Sequence, residues 1–247
     1  MISAFVKKTA QGASALAVAV AKSTREPERA AYVVVAGLNI AASFSGNASL
    51  KRATKPLLMP LLTGRVLRSS NPGRALGLVG LAGGWFGDLV LMRPNQLPKG
   101  AAGFAVNHLA YCTLLIQRGA RPHLRPALIR TIPLVAATGL AARKQPVLAP
   151  VVLGYGALLA TTSTLADASF LTNQADLQSP VASELYGLGH GGNLFLLSDA
   201  VLCVRELLPV GENADSQVLG RIADGIVMGT YTLAQVLLID GLFQHNR

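Results

Sequence analysis

Two aspartates in this chain sit where an aspartate is costly. Asp88 lies in Gly87-Asp88-Leu89-Val90-Leu91 and Asp199 in Ser198-Asp199-Ala200-Val201-Leu202, each inside a long apolar run. An ionisable side chain inside a membrane span costs about 2.5–3.5 kcal/mol on insertion scales, so it normally faces protein and marks a site. Two carboxyls in one site divide the labour. One, kept protonated, donates a proton; the other, ionised, stabilises a cation and takes a proton from water. A structural ion pair between Asp88 and Arg93 explains one aspartate, but not two at matching depth.

Other residues suited to such a site follow. His108 shares a helical face with Phe104 and Tyr111, at spacings of four and three. Lys55 heads an apolar run, where snorkelling to the interface is the ordinary explanation. Tyr155 and His108 belong to runs that start on the same side as Lys55. Ser198 precedes the second aspartate, and Tyr231 and Gln235 stand four apart on the last run. His190, among Gly187, Gly189, Gly191 and Gly192, reads as a packing residue. The sequence has no phosphate loop, Ser-His-Asp order, zincin motif or metal-ligand spacing. Neither a metal nor a cofactor is therefore expected.

Positioning these residues is the task of a membrane scaffold. The 247 residues are 51% hydrophobic and only 14% charged, with a mean hydropathy of +0.44; a soluble domain carries about a quarter charged residues. The 25 glycines allow close helix approach in a bilayer that supplies no hydrophobic drive for association. Eight spans are predicted, at 30–45, 55–68, 74–92, 99–117, 127–142, 146–165, 186–204 and 222–242. Turn clusters such as Ser69-Ser70-Asn71-Pro72-Gly73 and Arg143-Lys144-Gln145-Pro146 separate them. Pro60 predicts a kink in the short second span. Residues 166–185 form the most polar loop, 1–29 an interfacial segment and 243–247 a tail. The fold class is an all-α polytopic bundle.

The net charge of +10 raises nucleic acid as a partner, but the cations fall in short runs between spans, which is juxtamembrane patterning. Cys112 and Cys203 lie in apolar runs and read as packing residues. Twelve Lys and Arg lie on the side of the N-terminus against nine on the other, which favours both termini in the cytoplasm. The shared small-Asp-x-Val-Leu pattern is compatible with a 4+4 duplication whose copies run parallel. With or without it, the third and seventh spans run the same way. Asp88 and Asp199 are therefore expected at similar depth, about 7–9 Å inside the face opposite the N-terminus.

Three ordered segments, Thr54-Lys55-Pro56-Leu57-Leu58-Met59, Gly87-Asp88-Leu89-Val90-Leu91-Met92 and Phe104-x3-His108-x2-Tyr111, resemble the successive signatures of the YhhN family. Tyr155, Ser198-Asp199 and Tyr231-x2-Ala234-Gln235 follow in the family's order. The resemblance covers roughly 30–242. It implies an eight-helix membrane fold and, as in characterised animal members, lysoplasmalogenase activity. That reaction cleaves the vinyl ether of an alkenyl-glycerophospholipid to a fatty aldehyde and a glycerophospho-base. On this reading Asp88 and Asp199 are the catalytic pair and Lys55 holds the lipid phosphate. His108, Tyr111, Tyr155, Ser198, Tyr231 and Gln235 line the substrate, a lysophospholipid drawn from membrane lipid. Arg- and Ala-rich loops suggest a bacterial cell membrane. The alternative from another class is a proton-coupled transporter of a small solute or lipid, since buried acids suit it as well.

Overall fold

The structure is a computed structural model, which describes residues 2–171, 182–208 and 214–243. Its helices are α1 (Ile2–Ala21), α2 (Pro27–Ser45), α3 (Ala48–Thr54), α4 (Leu58–Arg68), α5 (Arg74–Leu91), α6 (Leu97–Gln117), α7 (Leu124–Lys144), α8 (Ala149–Leu171), α9 (Ala182–Leu207) and α10 (Ala214–Leu242). No strand occurs among the described residues. The chain is thus a helical, multi-pass membrane protein.

Among the described residues, five helices are long and apolar enough to cross a membrane: α5, α7, α8 with the turn before it, α9 and α10. The other three predicted runs are also helical and fall on α2, α4 and α6. Each has a reason to score lower. The 11 residues of α4 reach only about 16 Å. Buried Asn107 and His108 dilute α6, and Arg29 and Asn39 dilute α2. If all eight cross, reporter fusions at Asn71 and at the C-terminus share one side and a fusion at Asn95 lies on the other. A C-terminal reporter opposite Asn71 would rule that topology out.

Local chemistry sets most helix ends. Pro27 begins α2, and Gly46, at φ 77°, closes it in a left-handed turn that a side chain would strain. The Asn47 side chain accepts from the Leu50 backbone N–H at 3.0 Å and starts α3. The predicted kink at Pro60 is not where the helix breaks. Pro60 falls in the first turn of α4, where a missing N–H costs nothing. The break is the 3-10 turn Lys55–Leu57, with Pro56 at its start. The polar loop predicted at 166–185 is shorter than expected, because α8 runs on to Leu171 and α9 begins at Ala182. Between them, 172–181 lie outside the described residues.

Helices α2, α4, α5, α6, α8, α9 and α10 pack in that order, and α10 returns to α2 to close a ring. Outside the ring α7 leans on α8 and α9, showing Ile129, Ile132 and Val135 outward as a lipid-facing helix does. The N-terminal α1, expected at the interface, packs on α9 and α10 with Ala15 and Ala19 buried. Glycine decides the closest approach. A Cβ on Gly83 would stand 2.8 Å from the Gly103 carbonyl oxygen, so α5 and α6 touch backbone to backbone.

Among the described residues, two ionic clusters tie the helices together. Asp240, near the end of α10, accepts from Arg29 of α2 and from Lys22 at 3.1 Å, and Arg65 of α4 lies 3.7 Å away. On α7, Arg130 donates to Asp167 and, at 2.7 Å each, to Ser163 and Asn193, which ties that outer helix to α8 and α9.

Candidate active site

Lys55 owes its position to the break before α4. Asn39 of α2 donates to the Lys51 carbonyl at 3.1 Å and to Thr54 Oγ1 at 2.7 Å. From the other flank, Trp85 Nε1 donates to the Pro56 carbonyl at 2.8 Å. Held at both ends, the turn aims the Lys55 ammonium at α5, where Nζ lies 3.3 Å from Asp88 Oδ1. The other carboxylate oxygen, Oδ2, accepts from the Tyr231 hydroxyl of α10 at 2.8 Å. Asp88 is 1% exposed, so these two partners supply what water otherwise would.

Asp199, on α9, has a different company. It accepts from the Tyr155 hydroxyl of α8 and pairs with no cation among the described residues. Behind Tyr155 runs a file of buried groups. The Tyr155 hydroxyl lies 3.3 Å from His108 Nε2, His108 Nδ1 lies 3.1 Å from Thr162 Oγ1, and Thr162 Oγ1 lies 3.1 Å from Cys112 Sγ and 3.0 Å from the Leu158 carbonyl. Donor and acceptor counting allows two consistent directions. In one, thiol, Thr162, His108 and Tyr155 each donate toward Asp199, which is ionised. In the other, protonated Asp199 donates to Tyr155, and every bond reverses until Thr162 donates to the Leu158 carbonyl. The file therefore fits either state of this carboxyl.

Both aspartates line one cavity of about 510 Å³, within the range of small-molecule sites. Lys55, Tyr155, Ser198 and Tyr231 line it with them. Ser198 donates to the Val227 carbonyl at 3.1 Å, which fixes α9 to α10 beside Asp199. Phe104, Phe195 and Tyr231 meet edge to face, with centroids 5.4–6.2 Å apart, and this lock orients the Tyr231 hydroxyl. The other site residues expected from sequence sit further back. His108 stands behind Tyr155, and Tyr111 donates to Gln235 Oε1 at 2.8 Å in a layer away from the lining.

At the cavity mouth, Lys51 and Arg205 both donate to Asp224, and Arg205 also to Glu206. Burial, with Lys55 and Arg205 nearby, draws the Lys51 ammonium down to about 8. Positive charge is in excess there.

Sequence reading passed over several of these residues. Thr162 belongs to Thr161-Thr162-Ser163-Thr164, a run of hydroxyls inside an apolar span that was a visible signal. Asp240 and Arg130 lie within predicted spans, so the rule that singled out Asp88 applies to them equally. Asp224 and Lys51 acquire meaning only when α3, α9 and α10 meet.

The model of the YhhN family matches residues 50–242. No curated protein and no solved structure matches the chain.

Proposed function

The chain belongs to the YhhN family, and on that footing we propose that it hydrolyses the vinyl ether of a lysoplasmalogen-type lysophospholipid by two-carboxylate catalysis. The observation that carries this reading is one cavity lined by two carboxyls with unlike partners. A cation and a phenol donor suit an ionised carboxylate at Asp88. Asp199, with no cation, suits the proton donor.

The steps then balance. Asp199 protonates the β-carbon of the vinyl ether, giving an oxocarbenium ion that the Asp88 carboxylate stabilises. Water adds to the α-carbon and loses a proton to Asp88. The hemiacetal collapses as Asp199 takes its hydroxyl proton and Asp88 protonates the departing ether oxygen. A fatty aldehyde and a glycerophospho-base leave, one water is consumed, and both carboxyls regain their starting forms. Tyr231 and Lys55 hold Asp88 in place, and Tyr155 with His108 behind it holds Asp199.

Lys55 is thereby assigned to the Asp88 charge rather than to the lipid phosphate. Lys55→Ala is expected to lower kcat about 10–100-fold while moving KM little, since it removes a partner of the reacting carboxylate. A rise in KM at constant kcat would return Lys55 to the phosphate.

One observation favours the transporter reading. α10 carries Asp224 at the mouth, Tyr231 at the site and Asp240 near its far end, a span of about 24 Å. Against it, Val236, Leu237, Leu238 and Ile239, the turn of α10 just before Asp240, are buried and apolar, so no side chain of that turn carries a proton from Gln235 to Asp240. Aldehyde release by detergent-solubilised protein separates the two, because transport needs a sealed compartment. No aldehyde from any vinyl-ether lysolipid, with proton-dependent uptake into proteoliposomes, would establish the transporter.

A further inference from the structure

The cavity has two regions of unlike character. At its mouth, α3 and the loop after α5 bring Arg52 and Arg93 to the lining, beside Lys51 and Arg205. The last two are occupied, sharing Asp224. Arg52 and Arg93 are exposed and pair with no carboxylate among the described residues. Snorkelling to lipid headgroups is the ordinary use of an interfacial arginine, but these two line a cavity rather than the outer surface. Lys51, lowered first by burial and then by Lys55 and Arg205, belongs to the same excess of cations, which favours a further anion over a further cation.

One wall of the cavity is apolar. Pro133, Leu134 and Ala137 of α7 face Val151, Val152 and Gly156 of α8. A Cβ on Gly156 would stand 2.6 Å from Leu134 Cδ1, so Leu134 packs directly over this glycine and a larger side chain at 156 would displace it along that wall. α7 packs on α8 and α9 but not substantially on α6, so this wall is built by α8 and a single outer helix.

We propose that Arg52 and Arg93 form an anion site at the cavity mouth that takes the phosphate diester of a single-chain phospholipid, with its hydrocarbon chain along the α7–α8 wall. This deepens the hydrolase reading and rests on it for the position of the scissile bond, but the binding site stands apart from the chemistry. A guanidinium matches two phosphate oxygens at once, and two of them at one mouth match a diester, while Lys55 is taken up by Asp88. Asp88 and Asp199 line the same cavity, so on this placement the glycerol ether is the part of the lipid expected to meet them.

The test uses ligands that cannot be cleaved. Full-length protein in detergent is titrated with a saturated 1-alkyl lysophospholipid, with the 1-alkylglycerol of the same chain, and with inorganic phosphate, and binding is read by native mass spectrometry. The lysophospholipid is expected to bind at least about tenfold tighter than the alkylglycerol. Arg52→Ala and Arg93→Ala should each weaken lysophospholipid binding about tenfold, leave alkylglycerol binding unchanged, and be partly rescued by Lys. Gly156→Leu should weaken both lipids and favour shorter chains. Equal binding of the two lipids by wild type, or loss of both in the arginine variants, overturns the anion site. Inorganic phosphate bound as tightly as the lysophospholipid would make free phosphate the ligand and overturn the lipid. Selective lysophospholipid binding without aldehyde release from a vinyl-ether substrate leaves this site standing and removes only the hydrolase.

Discussion

Asp88→Asn and Asp199→Asn are each expected to lower aldehyde release by about 10²–10⁴-fold. Asparagine keeps the shape of the side chain and most of its contacts. At 199 its carbonyl still accepts from Tyr155, and at 88 it still accepts from Tyr231. What it lacks is a proton to give or a negative charge to offer an oxocarbenium ion. The loss should therefore fall on kcat, with binding of the uncleavable 1-alkyl lysophospholipid preserved within a few fold. The double variant should be little worse than either single one, because the two carboxyls act in the same steps. Turnover surviving in either variant within tenfold of wild type would remove that residue from the chemistry.

Asp240→Ala is expected to cost about 3–5 kcal/mol of stability, read as a lower thermal midpoint and a shorter half-life in detergent. The cost comes from what the substitution leaves behind. Arg29, 2% exposed, would lose the carboxylate that it and Lys22 share, and Arg65 would lose one of the carboxylates beside it, with Glu26 remaining 3.6–3.8 Å from the two arginines. Since these cations come from α2, from α4 and from the turn after α1, one change loosens three attachments to α10. Asp240→Asn should fall between the two, as it keeps an acceptor and loses the charge. A midpoint unchanged in Asp240→Ala would show that the cluster is solvated and carries no weight in the fold.

Much of this was legible in the chain itself, and the limits of legibility have physical causes. Apolar runs and turn clusters marked the helices, because their lengths and breaks are local properties. Pro60 misled because its effect depends on where in a helix it falls, and that was set by the turn at Lys55–Leu57. The two aspartates stood out as charges among apolar neighbours. Their unlike environments did not, since Lys55, Tyr231 and Tyr155 reach them across 33 to 143 residues of chain. Arg52 looks like any interfacial cation, and Arg93 like a partner for Asp88, a place that Lys55 takes in the structure. Only the cavity lining separates them from Arg143 and Lys144.

The file from Cys112 to Asp199 ends blindly, on a thiol and a main-chain carbonyl inside the bundle. It turns like a compass needle with the charge on Asp199 and passes nothing to the far side of the membrane. On the hydrolase reading, Asp199 then exchanges its proton with the water that enters beside the substrate, and turnover is expected to stay the same when a voltage is set across proteoliposomes carrying the protein.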